Sequence, residues 1–329
     1  MGAVPRFSII IPVKEINDYV RETVPYIQAL DLDNWELIIV PNGPDKNEWE
    51  SDPRISLISS GRVGPADKRD QASKIATGEI LVFLDDDSYP KSDLLSVATK
   101  HFIDKSVSAL GGPAITPRSD SYWQRVSGAV FLSKFTGGNP ERYIPVGTVR
   151  EVDDWPSVNL MIERDAFLDV NGFNSPYWPG EDTHLCLKLI QKSKKILYVP
   201  NLIVYHHRRE GFFRHVKQVG AYGLHRGYFA RRMPDTSLKL KYLLPSFLTM
   251  TVLTSPVSVV ANSTVQNFYF AALTAYSLTV VFGAIDIAKK SDLPTAAGAI
   301  LYTIPTHLYY GLQFIRGFIM TGKLNSALR

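Results

Sequence analysis

Three consecutive carboxylates, Asp85, Asp86 and Asp87, follow directly on the apolar run Ile80–Leu84. Bounded by Gly78 and Pro90, that run predicts a strand buried on both faces of a sheet. Like charges packed at the exit of a buried strand repel one another and lose solvation, so a cation is called for there. Ligands of open α/β sheets bind just outside the carboxyl ends of strands. A Mg2+ or Mn2+ ion, held by carboxylates and sharing its remaining positions with substrate phosphates, accounts for the cluster. A solvated acidic turn capping the helix that begins near Ser92 is the competing reading.

Two further groups carry chemical character. Glu181 and Asp182, in WPGEDTHLCLKLIQ, fall in the first turn of a helix whose buried face holds Leu185, Leu189 and Ile190. Acids there complement the helix N-terminus, and a carboxylate in a cleft also serves as a general base. In Tyr205-His206-His207-Arg208-Arg209, the His/Arg run offers an imidazole to a metal shell and cationic groups to a diphosphate. A basic collar against anionic lipid headgroups is the alternative.

Several elements must position these groups. FSIIIPV is a continuous apolar strand ending at Pro12, followed by a polar turn and a helix with Val20, Val24, Ile27 and Leu30 on one face. WELIIVPNG gives a second strand, Leu37–Val40, stopped by Pro41, Asn42 and Gly43. After a short strand at Ile55–Ile58 comes GPADKRDQASKIATG, a helix with Pro65 in its first turn and Gly78 past its end. Strand, helix and strand in alternation predict a parallel sheet with right-handed crossovers, a nucleotide-binding architecture. Beyond it we read a strand and glycine turn over Ala109–Ile115, a helix over Tyr122–Phe135, a strand at Val158–Ile162, and strands in KILYVP and LIVYHH.

The 329 residues suffice for one α/β domain plus an appendage, and the net charge of +4 is ordinary. Its distribution is uneven. No Asp, Glu, Lys or Arg occurs from Tyr242 to Ile285, nor from Leu293 to Ile315. About 20 apolar residues cross a bilayer as a helix, so about three transmembrane helices are expected, near 243–261, 266–285 and 295–315. Prolines 245, 256 and 305 leave buried or interfacial helices as the alternative. Basic RRMPDTSLKLK before the first run and Lys289-Lys290 between the second and third place the N-terminal domain in the cytoplasm by the positive-inside rule. A tail with Arg316, Lys323 and Arg329 fits that orientation poorly. The expected location is the cell membrane, multi-pass, and the N-terminus runs into a strand pattern with no signal peptide. A single cysteine, Cys186, excludes an internal disulfide.

In order and spacing, FSIIIPVKE, LIIVPNG, GPADKRDQASKIATGEILVFLDDDSYP, NLMIERDAFLDVNGF and WPGEDTHLC resemble the family 2 glycosyltransferases. The resemblance covers roughly Pro5 to Arg232. It implies a GT-A fold, Rossmann-like with a mostly parallel central sheet, over 1–232, then a basic linker at 233–242 and a membrane domain at 243–329. By the same resemblance Asp87 is the main metal ligand, with Asp85 and Asp86 near ribose or metal and His206 completing the shell. Pro12, Val13 and Glu15 line the nucleotide. Asn42 stands where many members carry a uracil-reading Asp, which keeps GDP, dTDP and polyprenyl-phosphate donors open beside UDP.

Lys68 and Arg69 occupy a basic position near the nucleotide, as do His207, Arg208 and Arg226. Asp182, with Glu181 beside it, is implied as the base that activates the acceptor, while Trp155 and Trp178 are expected to touch that acceptor. Inverting transfer needs such a carboxylate opposite the leaving group. The expected partners are a nucleotide-sugar donor, a lipid-linked or cell-envelope glycan acceptor and membrane lipids, with no nucleic acid. The rival readings are a sugar nucleotidyltransferase, disfavoured because no glycine follows Ile11 in the first loop, and a non-catalytic binder on a degenerate scaffold.

Overall fold

The computed structural model describes residues 4–260 and 262–324. In chain order the first half contains β1 (Phe7–Pro12), α1 (Asp18–Gln28), β2 (Trp35–Val40), β3 (Ile55–Leu57), α2 (Pro65–Ile75), β4 (Ile80–Phe83) and β5 (Ser88–Pro90). There follow α3 (Leu94–Phe102), β6 (Val107–Gly111), β7 (Ala114–Ile115), α4 (Tyr122–Ala129), β8 (Arg150–Glu151), β9 (Leu160–Glu163) and α5 (Arg164–Asp169). The remainder holds α6 (Glu181–Gln191), β10 (Lys195–Tyr198), β11 (Val204–His206), α7 (Phe212–Arg232), α8 (Pro234–Ser237), α9 (Leu240–Thr254), α10 (Ser263–Ala288) and α11 (Leu293–Ile319). These elements divide into two compact units, residues 4–115 with 144–207, and residues 116–143 with 208–324.

The first unit is built on an eight-stranded sheet of order β3-β2-β1-β4-β9-β6-β10-β8. The run β3-β2-β1-β4 is parallel, as is β6 with β10, whereas β9 runs antiparallel between β4 and β6. Continuous apolar strands are required because helices cover both faces. Ile9 and Ile11 of β1 pack toward Val20, Val24 and Ile27 of α1 and Leu94 and Leu95 of α3. Ile10, between them, turns to the other layer with Ala72 of α2, Phe167 of α5 and Leu185 and Leu189 of α6. Full burial of each such side chain stabilises the fold by about 1.5–3 kcal/mol, and a one-residue slip would misplace all of them. A second, three-stranded sheet, β5-β11-β7, stands beyond the carboxyl end of β4.

The second unit gathers α4 and α7–α11. Two of its helices, α7 and α11, meet along glycines. A Cβ at Gly223 would collide with the Tyr310 carbonyl, one at Gly227 with that of Phe314, and one at Gly317 with that of Leu224. Residues without side chains let two helix backbones approach closely. This packing places α7 with the hydrophobic helices, whereas the sequence-based boundary at residue 232 assigns it to the catalytic domain.

Among the described residues one helix, α10, is long and apolar enough to cross a membrane. Of the three expected spans, this one meets the requirement of length and composition. Helix α9 has 15 residues, roughly 22 Å at the helical rise and short of a hydrocarbon core of about 30 Å. It stops at Thr254 and passes into a 3-10 segment, Ser255–Val260. Helix α11 has the length but carries Pro305 and Arg316 and buries Ala299, Thr303, Thr306 and Gly311 along one side. Ala261 and Arg329, parts of the expected span and tail, lie outside the described residues.

Candidate active site

The site is assembled in the first unit at the carboxyl ends of β1, β2 and β4. Asp85, Asp87 and His206 each offer one ligand atom, and these atoms lie within 4.8 Å of one another. Strand β11 delivers the imidazole by pairing antiparallel with β5, so that His206 stands opposite Ser88. The His206 Nε2 is 3.1 Å from Asp87 Oδ1, and the His207 N–H donates to the Asp87 carbonyl at 3.0 Å. Asp87 is 6% exposed, so its charge needs a cation. Two carboxylates and an imidazole suit a first-row divalent ion that keeps positions for phosphate oxygens. This group can hold such a metal.

Asp86 points elsewhere. Its Oδ2 accepts from Asn17 Nδ2 at 2.8 Å, while the Asn17 Oδ1 accepts from the Val20 N–H and caps α1. Sequence reasoning missed Asn17, although an Asn directly before an amphipathic run is a helix-start signal. His207 pairs with Glu22 of α1 at 3.1 Å and stacks on Tyr19 with ring centroids 4.9 Å apart, which fixes the end of β11.

Pro12 and Val13 are buried at the end of β1, Glu15 is exposed, and Asn42 is half-buried with its N–H donating to the Lys14 carbonyl. Lys68 and Arg69 lie on the buried face of α2. The Lys68 ammonium donates to the carbonyls of Val13 and Val40, closing β1 against β2. Burial draws its pKa down to about 8, against the pull of Asp86 and Asp45. Arg69 is more enclosed still. Its Nη2 donates to Asp85 Oδ1 at 2.5 Å and its Nη1 to Glu181 Oε1 at 3.3 Å. One guanidinium therefore spans the metal-side acid and the first residue of α6, and both acids belong to a single site.

Helix α6 starts from Gly180, whose φ of +109° turns the chain into Glu181 with no Cβ penalty. Asp182 is half-buried, and its Oδ1 accepts from the Thr183 N–H at 2.7 Å. Glu181 is buried, and burial first, then the neighbouring Asp182, pushes its carboxyl up to about 8, with Arg69 opposing. The folded state thus holds this proton more tightly than the unfolded chain does. The resulting stabilisation is fully present below the ordinary value of 4.5 and is lost as pH rises toward about 8. Glu181→Gln removes that dependence. In metal-free thermal unfolding, the Tm of the variant relative to wild type should climb between pH 5 and 8, and parallel Tm–pH curves would contradict it.

Trp178 is half-buried beside Pro179 in the loop before α6. Trp155 is 1% exposed, stacked on Tyr198, with Nε1 donating to the Gly112 carbonyl at 3.0 Å. A side chain so enclosed is a core aromatic that supports the loop over it, which does not favour the expected acceptor contact. Arg208 and Arg226 fall in the second unit. The Arg208 Nε donates to Thr116 Oγ1 at 3.2 Å and its guanidinium lies 4.8 Å from the Tyr143 ring. That of Arg226 donates to Ser237 Oγ at 3.2 Å and lies 4.7 Å from the Tyr242 ring.

Comparison with known proteins bears on the fold and the family. The model of glycosyl transferase family 2 matches residues 8–153. A pre-mycofactocin glycosyltransferase of Mycobacterium tuberculosis is 27% identical over 242 residues, covering 71% of this chain and 49% of the relative. The chain thus spans about half the length of that relative. Glycosyltransferase GlyG of Streptococcus pneumoniae serotype 4 is 22% identical over 223 residues, 62% of this chain and 71% of its own length. Among solved structures, the mannosyltransferase PcManGT from Pyrobaculum calidifontis, in complex with GDP-Man and Mn2+, superposes with a TM-score of 0.56 at 18% identity, covering 96% of this chain and 88% of that one. That likeness establishes the GT-A fold. The stretch 8–153 that carries the acid cluster is thus similar to glycosyl transferase family 2, and it sits within a GT-A fold.

Proposed function

We propose that this chain is an inverting, metal-dependent glycosyltransferase that moves a sugar from a nucleotide-sugar donor to a lipid-linked or cell-envelope glycan at a membrane. The observation that carries this reading is the convergence of Asp85, Asp87 and His206 in one site with the acid pair of α6, joined through Arg69. Mg2+ or Mn2+ would be held by Asp85, Asp87 and His206, the imidazole favouring Mn2+. When bound there, the ion supplies neutralisation of the leaving nucleoside diphosphate. Pro12, Val13, Glu15, Asn42 and Asp86 border the space for the nucleotide. Asp182 takes the proton from the acceptor hydroxyl, with Glu181 buried beside it. Trp178 faces the acceptor side, and Lys68 shapes the nucleotide loops by joining the ends of β1 and β2.

The membrane part of the proposal is supported by α10 and by the basic residues at the ends of the apolar helices, Arg231, Arg232 and Lys239 before α9, Lys241 in its first turn, and Lys289 and Lys290 after α10. Their placement favours a catalytic domain in the cytoplasm. A donor panel read by thermal shift tests the enzymatic core of the reading, since a ligand at 100 times its Kd stabilises by about 2.7 kcal/mol. UDP-, GDP- and dTDP-sugars are each added with and without Mn2+. One nucleotide should raise Tm only when Mn2+ is present. A panel without any shift, or a shift indifferent to the metal, would overturn the proposal.

A further inference from the structure

We infer that Arg69 is a positioning residue, a fixed strut between the metal-side carboxylate Asp85 and the helix that carries Asp182, rather than a contact to the donor. The inference rests on the site reading above and deepens it. The Arg69 side chain is 2% exposed, which leaves no part of the guanidinium open to a bound molecule. Its two terminal nitrogens are directed to different partners, Asp85 Oδ1 at 2.5 Å and Glu181 Oε1 at 3.3 Å. The face of the guanidinium lies 5.4 Å from the Phe173 ring, and Phe173 belongs to the loop that leads toward α6. That loop is itself held from α2, where Asp70 accepts from the N–H groups of Phe173 and Asn174, both at 2.7 Å.

Adjacent residues of one helix thus grip both the acid cluster after β4 and the approach to α6. A planar fork with fixed donor directions sets the spacing between its partners, which a flexible ammonium cannot do. The two acids it joins are far apart in sequence, and the pairs of the strut link residues 16 and 112 positions apart. Donor-side and acceptor-side groups are therefore registered to one another through a single buried side chain. A displacement of about 1 Å at a reacting group costs up to roughly 10²-fold in rate, so loosening this strut should appear in turnover and not in donor affinity.

Two measurements decide the matter. In the first, Tm is read without donor for Arg69→Met, Glu181→Met and the double variant. Each single change strands a buried polar group, while the double change removes a matched pair, so its Tm loss should fall clearly below the sum of the singles. Additive losses would overturn the strut whether or not any sugar is transferred. The second uses Arg69→Lys, which keeps the charge, with the donor identified by the panel. The kcat should fall roughly 10- to 10²-fold with donor KM within about twofold of wild type. A raised KM with kcat intact, or no change in either, would return Arg69 to donor binding or to inert packing.

Discussion

Asp182→Asn is expected to bind donor and Mn2+ as wild type does while transfer falls by roughly 10²–10⁴-fold, the usual contribution of a positioned general base. Asn preserves the shape of the side chain, and its Oδ1 can still accept from the Thr183 N–H that now bonds Asp182 at 2.7 Å, so the start of α6 should survive. What is lost is the capacity to accept a proton. Of the two acids at this helix terminus, Asp182 is the one with the properties of a base. It is half-buried and open to an acceptor, and the helix N-terminus favours negative charge there. Glu181 is enclosed, engaged by Arg69, and holds its proton to about 8. The thermal shift with donor and Mn2+ should therefore be retained in Asp182→Asn, and single-turnover transfer should collapse. Full turnover in that variant would transfer the role to another group.

Much of the site was legible because its signals are local. The runs at Phe7–Pro12, Trp35–Val40 and Ile80–Phe83 appear as the buried parallel strands β1, β2 and β4. The acids at 85–87 end the last of these, and His206 reaches the same place. Other features are invisible to periodicity. β5 has three residues and exists by pairing with β11, distant in sequence. The antiparallel direction of β9 leaves no mark on its apolar pattern, since either direction buries the same residues.

Lys68 and Arg69 resemble an ordinary solvated helix face because charged residues are seldom buried. The informative feature was one turn onward, where the small residues Ala72 and Ser73 continue the same buried face. The hydrophobic region is only partly legible for a related reason. Long uncharged runs mark α9, α10 and α11 alike, whereas the glycine contacts of α11 with α7, and the Thr and Ala residues it buries, mark a helix committed to protein neighbours.

For Asp87→Ala we expect the Mn2+-dependent thermal shift, with or without donor, to disappear while the metal-free protein stays folded. Asp87 lies at the centre of the ligand group, 3.1 Å from His206 and nearly enclosed. Without a cation it adds a third negative charge to Asp85 and Asp86, so removing it relieves repulsion, and the loss of its His206 partner offsets part of that gain. The backbone bond from the His207 N–H to the Asp87 carbonyl does not involve the side chain, and the pairing of β5 with β11 should persist. The Tm of the metal-free variant should therefore lie near that of wild type, in contrast to a core truncation, which costs about 2–5 kcal/mol. A metal that stabilised wild type by about 2.7 kcal/mol at 100 times its Kd would give almost nothing once affinity falls by two orders of magnitude. His206→Ala should lose less, because two carboxylates remain to hold a divalent ion. If Asp87→Ala kept the full Mn2+ shift while His206→Ala abolished it, the principal ligand would have to be sought away from the end of β4.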